Sequence, residues 1–76
     1  MKRYYKRIDG RLCSTDVIAI DTRSLSEIWD GAYTAFCPIG NRYPITQSEL
    51  MNEWRGISRF EFELASVGHH VPAAYL

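Results

Sequence analysis

No apolar run in this chain approaches membrane-spanning length. Val17-Ile18-Ala19-Ile20 is four residues long, against the roughly 20 that a helix needs to cross a bilayer. Met1 to Arg7 carries charge suited to the start of a secretory leader, but no apolar stretch of about seven or more residues follows it. A soluble, cytoplasmic protein is therefore expected. Cysteine is scarce: Cys13 and Cys37 are the two present, too few for a disulfide scaffold, and in a reducing cytosol they should be thiols, with a single bridge as the alternative. The five glycines are dispersed and none precedes a Lys-Ser or Lys-Thr pair, which excludes the phosphate-cradling loop of nucleotide hydrolases. Repeats, linkers and low-complexity tracts are absent as well. One domain over residues 1–76 is expected, with 66–76 as an irregular tail.

Excess charge is also missing, but the charges present are unevenly spread. The nine basic and nine acidic residues cancel. Residues 2–11 nevertheless hold five of the basic groups (Lys2, Arg3, Lys6, Arg7, Arg11) and one acid, Asp9, giving a +4 segment joined to a −4 remainder. Such segregation implies charge complementarity, within the molecule or toward a partner. Apolar residues at 46% and aromatics at 13% mark a globular chain. A domain this short buries only about 60 to 65% of its unfolded surface, so a homodimer or a bound partner is a natural way to cover what is left.

The pattern along the chain predicts an α+β fold. Residues 2–8 read as a strand ending at Asp9-Gly10, a dipeptide suited to a tight hairpin turn, and a second strand follows between Arg11 and Thr22. Ser24 and Glu27 stand at capping-box spacing, predicting a short helix over 25–30. Residues 31–37 can be read as more helix or as a strand; the strand from Ala32 to Cys37 is preferred because Gly31 disfavours helix. Gly40-Asn41 predicts a second hairpin, and Pro38 and Pro44 require a sheet edge or a bulge. Thr46 with Glu49 forms another capping box, and Ile45 with Leu50 a hydrophobic staple. These predict a helix from Gln47 to Arg55, ended by Gly56 in a left-handed conformation. Phe60, Phe62 and Leu64 alternate with Arg59, Glu61 and Glu63, predicting a half-buried strand. The sum is a small antiparallel sheet of about five strands with one main helix packed on one face.

Catalytic and metal chemistry find little support. Cys13, Cys37, His69 and His70 have the residue types of a zinc site, but they lack the close ligand pairs that such sites use. Cys37 lies between Phe36 and Pro38, an apolar setting that raises a thiol's pKa and favours an inert structural role. Glu61 and Glu63 share an outward face, where solvation is the ordinary explanation. No enzyme activity, cofactor or metal is expected.

Binding is the remaining class. Lys2, Arg3, Tyr4, Tyr5, Lys6, Arg7 and Arg11 combine cations and rings as a surface for nucleic acid or a small nucleotide would, although an isoelectric point near 6.7 tempers that reading. On a strand, Lys2, Tyr4 and Lys6 take one face and Arg3, Tyr5 and Arg7 the other, from which long side chains could reach Glu61 and Glu63. Asp16, Asp21, Glu27 and Asp30, with Glu49 and Glu53, could form an acidic patch. Glu49 and Glu53 are like charges one helical step of four apart, a local conflict that points to an interface.

The segment Gly40-Asn41-Arg42-Tyr43-Pro44-Ile45-Thr46, followed by Glu49-Leu50 and Trp54, resembles the closing part of short accessory proteins encoded by phages and prophages. In those a hairpin ending in aromatic-x-apolar-Ser/Thr leads into a short helix with a terminal aromatic. The resemblance spans about fifteen of the 76 residues and includes no functional motif. It implies a phage-type inhibitor or adaptor that binds a host enzyme, defence component or signalling molecule stoichiometrically. The reading is thus a non-enzymatic interaction protein with a protein partner, and a nucleic-acid or nucleotide binder is the alternative.

Overall fold

The computed structural model describes residues 2–21 and 32–76. Five strands, β1 (Lys2–Arg7), β2 (Val17–Asp21), β3 (Ala32–Cys37), β4 (Asn41–Thr46) and β5 (Trp54–Ile57), form one antiparallel sheet in the order β4-β3-β2-β1-β5. Helix α1 (Gln47–Glu53) lies between β4 and β5, helix α2 (Arg59–Ala65) follows β5, and a 3-10 turn occupies Ala73–Tyr75. The α+β class and the antiparallel sheet are as the sequence pattern predicts. The expected helix 25–30 lies outside the described residues.

β2 organises the packing. Val17, Ile18, Ala19 and Ile20 are each at most 1% exposed, so both faces of the sheet must be covered. On one face Ile18 and Ile20 join Ala35, Cys37, Ile45, Leu50 of α1 and Trp54, with Tyr5, Tyr33 and Tyr43 packed around them. On the other, Val17 and Ala19 join Tyr4 and the α2 residues Phe62 and Ala65, with Ile57, Val71, Tyr75 and Leu76 at the margin. The alternation expected of β1 holds, since Tyr4 enters the second cluster and Tyr5 the first. The tail docks through its apolar end: the Tyr75 ring stacks on Phe36 at 4.8 Å, and the Tyr4 hydroxyl donates to the Tyr75 carbonyl at 2.8 Å.

Four local expectations are corrected. The first hairpin does not turn at Asp9-Gly10. The ladder closes at the pair Lys6 and Val17, and residues 8–16 form a longer loop held by the Asp16 carboxylate, which accepts the Arg11 backbone N–H at 3.0 Å. Gly10 serves close approach, because a Cβ there would lie 2.9 Å from the Asp16 carboxylate. The second hairpin turns over three residues, Pro38, Ile39 and Gly40, instead of over Gly40-Asn41. Gly40 takes φ of 103°, a conformation that glycine adopts without steric cost, and Asn41 already pairs with Cys37. Pro44, as required, sits on an edge strand, β4.

Third, α1 keeps its capping box, with the Glu49 N–H donating to Thr46 Oγ1 at 3.1 Å and the Thr46 N–H to Glu49 Oε1 at 3.2 Å. It ends at Glu53 instead of Arg55, and Gly56 is not left-handed. Residues 54–57 instead pair with β1, from Arg7 opposite Trp54 to Tyr4 opposite Ile57. Another helical turn would leave the backbone groups on that edge of β1 without ladder partners.

Fourth, the alternating segment 60–64 is helix. Ser58 and Glu61 form a second capping box, with the Glu61 N–H donating to Ser58 Oγ at 3.1 Å and the Ser58 N–H to Glu61 Oε1 at 3.0 Å. A helix turns Phe62 to the side opposite Phe60 and Leu64. Phe62 is fully buried against Tyr4, ring centroids 4.9 Å apart, while Phe60 and Leu64 face out. Phe62→Ala should therefore cost about 3 to 5 kcal/mol in chemical denaturation, and Phe60→Ala or Leu64→Ala within about 0.5 kcal/mol. Equal losses at all three positions would restore the strand.

Candidate functional site

β1 is an interior strand, flanked by β2 and β5, and this decides what its basic residues can do. Lys6 is 9% exposed, and its ammonium donates to the carbonyls of Arg7 at 2.7 Å and Gly10 at 2.6 Å. Its charge is spent stabilising the loop after β1. The Arg7 guanidinium lies 4.6 Å over the Trp54 ring, a cation–π contact across the β1–β5 pair. Tyr4 is buried and its hydroxyl is committed to the tail. Arg11 gives its backbone N–H to Asp16 and leaves its side chain in solvent. Lys2 is half-buried beside the second core cluster, whereas Arg3 is exposed and Tyr5 half-buried on the α1 face.

The two acidic site residues are also engaged locally. The Glu49 carboxylate accepts from both the N–H and the hydroxyl of Thr46, so the like-charge spacing with Glu53 accompanies a capping function. The Glu53 backbone carbonyl accepts the Ile8 N–H at 3.1 Å, tying the end of α1 to the loop after β1. The expected bridges from β1 to Glu61 and Glu63 do not form. Glu61 caps α2, and Glu63 pairs with Arg59 at 3.0 Å in an exposed i,i+4 contact of the kind worth about 0.3 to 0.5 kcal/mol. Of the acidic patch, Glu27 and Asp30 lie outside the described residues.

Both cysteines are free thiols. Cys37 is buried, donates to the Ser14 carbonyl at 3.1 Å, and burial pushes its pKa up, as its apolar neighbours suggested. His69 and His70 are exposed in the loop after α2. Among the described residues, no group of three or more His, Cys, Asp or Glu could hold a metal ion, and no helix is long and apolar enough to cross a membrane.

Two surface features were not singled out from the sequence. The first is the outer face of α2 and the turn after it, where Phe60 is 67%, Leu64 52% and Val67 75% exposed. A step of four puts Phe60 and Leu64 on one side of α2, and Val67 follows in the turn after it. The Ser58–Glu61 capping box was the signal that could have revealed it. The second is a cleft on the opposite face of the sheet, between β1, β2, β3 and α1. Arg3, Tyr5, Ile20, Tyr33, Gln47, Leu50 and Met51 line it, and its volume is about 190 Å³. The other depressions are wider and shallower, such as that of about 300 Å³ bordered by Arg7, Ile8, Asp9, Asn52 and Glu53.

No family model matches this chain, and searches of curated proteins and of solved structures return no significant match. The functional reading therefore rests on the geometry above.

Asp16 ties this end of the sheet together and supplies a pH test. The Arg11 backbone N–H holds its carboxyl below the usual carboxylate range. Its folded value lies beneath its unfolded one, so the stability it contributes is complete above about pH 4 and fades as pH falls through the folded value. Thermal melts of Asp16→Ala should show a lower Tm than the parent at neutral pH and a gap that narrows steadily in acid. A gap that widens below about pH 4 would contradict the assignment.

Proposed function

We propose that this protein is a non-enzymatic binding protein that engages a protein partner stoichiometrically through the outer face of α2. The observation that carries the reading is the Phe60, Leu64 and Val67 stripe. Three large apolar side chains are each more than half exposed on one short stretch of chain, and exposed apolar surface grouped in this way often marks an interaction site. Sheet extension is the less favoured docking mode. Pro44 removes a backbone donor from edge strand β4, and the other edge, β5, is four residues long, two features that discourage strand addition.

The chemistry of the stripe indicates its counterpart. Arg59 and Glu63 beside it neutralise each other, so the surface offers apolar contact without net charge. An apolar groove that accepts one short helix fits it, in the helix-in-groove mode. A phage-type inhibitor or adaptor acting on a host protein agrees with this mode. The nucleic-acid alternative has weaker support, because Lys6 and Arg7 are already engaged inside the molecule.

The test is capture from a bacterial lysate on immobilised full-length protein, in parallel with a Phe60→Ser/Leu64→Ser double variant shown by circular dichroism to be folded. The expected result is a specific protein held near 1:1, at least about tenfold depleted by the double variant and little affected by salt up to about 0.5 M. Capture that survives the double variant but disappears with Arg3→Glu/Arg11→Glu, or on raising salt, would overturn the α2 face in favour of the charged strand. Sedimentation showing a dimer that the double variant dissociates would replace the host partner with a second copy.

A further inference from the structure

The cleft on the α1 face combines features that the proposed docking surface does not use. It follows from register. Arg3 stands opposite Ile20 on β2, Ile20 stands opposite Ala35 on β3, and Tyr5 and Tyr33 lie two residues along their strands on this same face. Helix α1 closes the side, with Gln47, Leu50 and Met51. The capping box that starts α1 at Thr46 fixes where those three side chains fall.

The polar groups at this cleft are uncommitted. Among the described residues, the side-chain polar groups of Arg3, Tyr5, Tyr33 and Gln47 have no hydrogen-bond or ion-pair partner. On the same strand, Tyr4 and Lys6 are fully engaged. A guanidinium, two phenols and a carboxamide thus surround an apolar floor of Ile20 and Leu50. Ligand sites are commonly built this way, with an apolar body and a few convergent polar groups.

We infer that this cleft is a binding site for a small aromatic carboxylate with a single ring. The ring lies on Ile20 and Leu50 between Tyr5 and Tyr33, where offset or edge-on contacts with the phenols are favoured. The carboxylate meets the Arg3 guanidinium, whose planar fork suits it and which has no ion pair among the described residues. The tyrosine hydroxyls and the Gln47 amide can donate to its remaining lone pairs. Size limits the ligand: a cavity of roughly 150 Å³ accepts benzene, so about 190 Å³ holds one ring and a small anionic group but excludes a nucleotide. This site is independent of the α2 stripe and stands or falls separately from it.

The experiment is a titration of the full-length, uniformly ¹⁵N-labelled protein followed by amide chemical shifts. Four probes are used: benzoate, phenyl phosphate, benzyl alcohol and acetate. Benzoate should give saturable shifts centred on Tyr5, Ile20, Tyr33 and Leu50, with an apparent Kd of about 1 mM or tighter. Acetate, lacking the ring, and benzyl alcohol, lacking the charge, should each bind at least about tenfold more weakly. Arg3→Gln should weaken benzoate by about tenfold or more while leaving the melting curve unchanged, because Arg3 is exposed. Equal binding of benzoate and benzyl alcohol, unchanged affinity in Arg3→Gln, shifts centred elsewhere, or failure to saturate would each overturn the inference. Tighter binding of phenyl phosphate than of benzoate would overturn the carboxylate assignment in favour of a phosphate ester.

Discussion

Complete burial of β2 is the constraint on which the rest of this fold depends. Four consecutive residues, Val17 to Ile20, are out of contact with water, and successive residues of a strand point to opposite faces. The sheet therefore needs a cover on each side. Within so short a chain both covers are minimal: a two-turn helix carrying Leu50 on one face, and on the other a second two-turn helix carrying Phe62 with the docked tail. Neither helix could stand alone, since isolated helices of this length are marginal in water. Each is started by a capping box and retained by one large side chain inserted into the sheet.

The second organising feature is the placement of a cationic strand inside the sheet. β1 is paired on both edges, and its side chains are distributed between the two cores instead of forming one basic surface. Lys6 is capped by carbonyls and Arg7 rests on Trp54. On the tail side, Arg42 lies 5.7 Å from the Phe36 ring and 6.0 Å from Tyr75, so aromatic faces absorb a second guanidinium. Two of the five basic groups in residues 2–11, Lys6 and Arg7, are thus satisfied within the molecule by carbonyl oxygens and a ring, with no salt bridge to β1 among the described residues. Arg3 is left at the mouth of the cleft beside α1.

Strands β1 to β4, the α1 capping box and the edge position of Pro44 were legible because each depends on residues close together in sequence. The misread segments are those where a distant partner decides. Phe60-Glu61-Phe62-Glu63-Leu64 has the period of a strand, but Ser58 and Glu61 supply a helical cap and Tyr4 supplies a single pocket for Phe62. Trp54 to Ile57 has a helix-ending look, yet the open edge of β1 recruits it into the sheet. Asp9-Gly10 has the chemistry of a tight turn, but Asp16 captures the loop further on. The sequence pattern predicts one helix on one face, whereas the uninterrupted apolar run of β2 requires cover on both. The stripe on α2 and the cleft beneath α1 became visible only once these pairings were in place.

Among the described residues, the pairing of β5 with β1 is the one strand contact between elements far apart in the chain, and it has four residue pairs. Immediately after it come α2 and the tail, which touch the sheet through Phe62, Ala65, Tyr75 and Leu76. Everything from Trp54 onward is therefore held by this ladder together with the side chains that α2 and the tail insert against β1, β2 and β3, and losing both uncovers one face of the sheet. The remaining strands, each joined to its sequence neighbour, form a more local unit. Such a division implies two cooperative blocks, and the exposed apolar stripe belongs to the one that begins at Trp54.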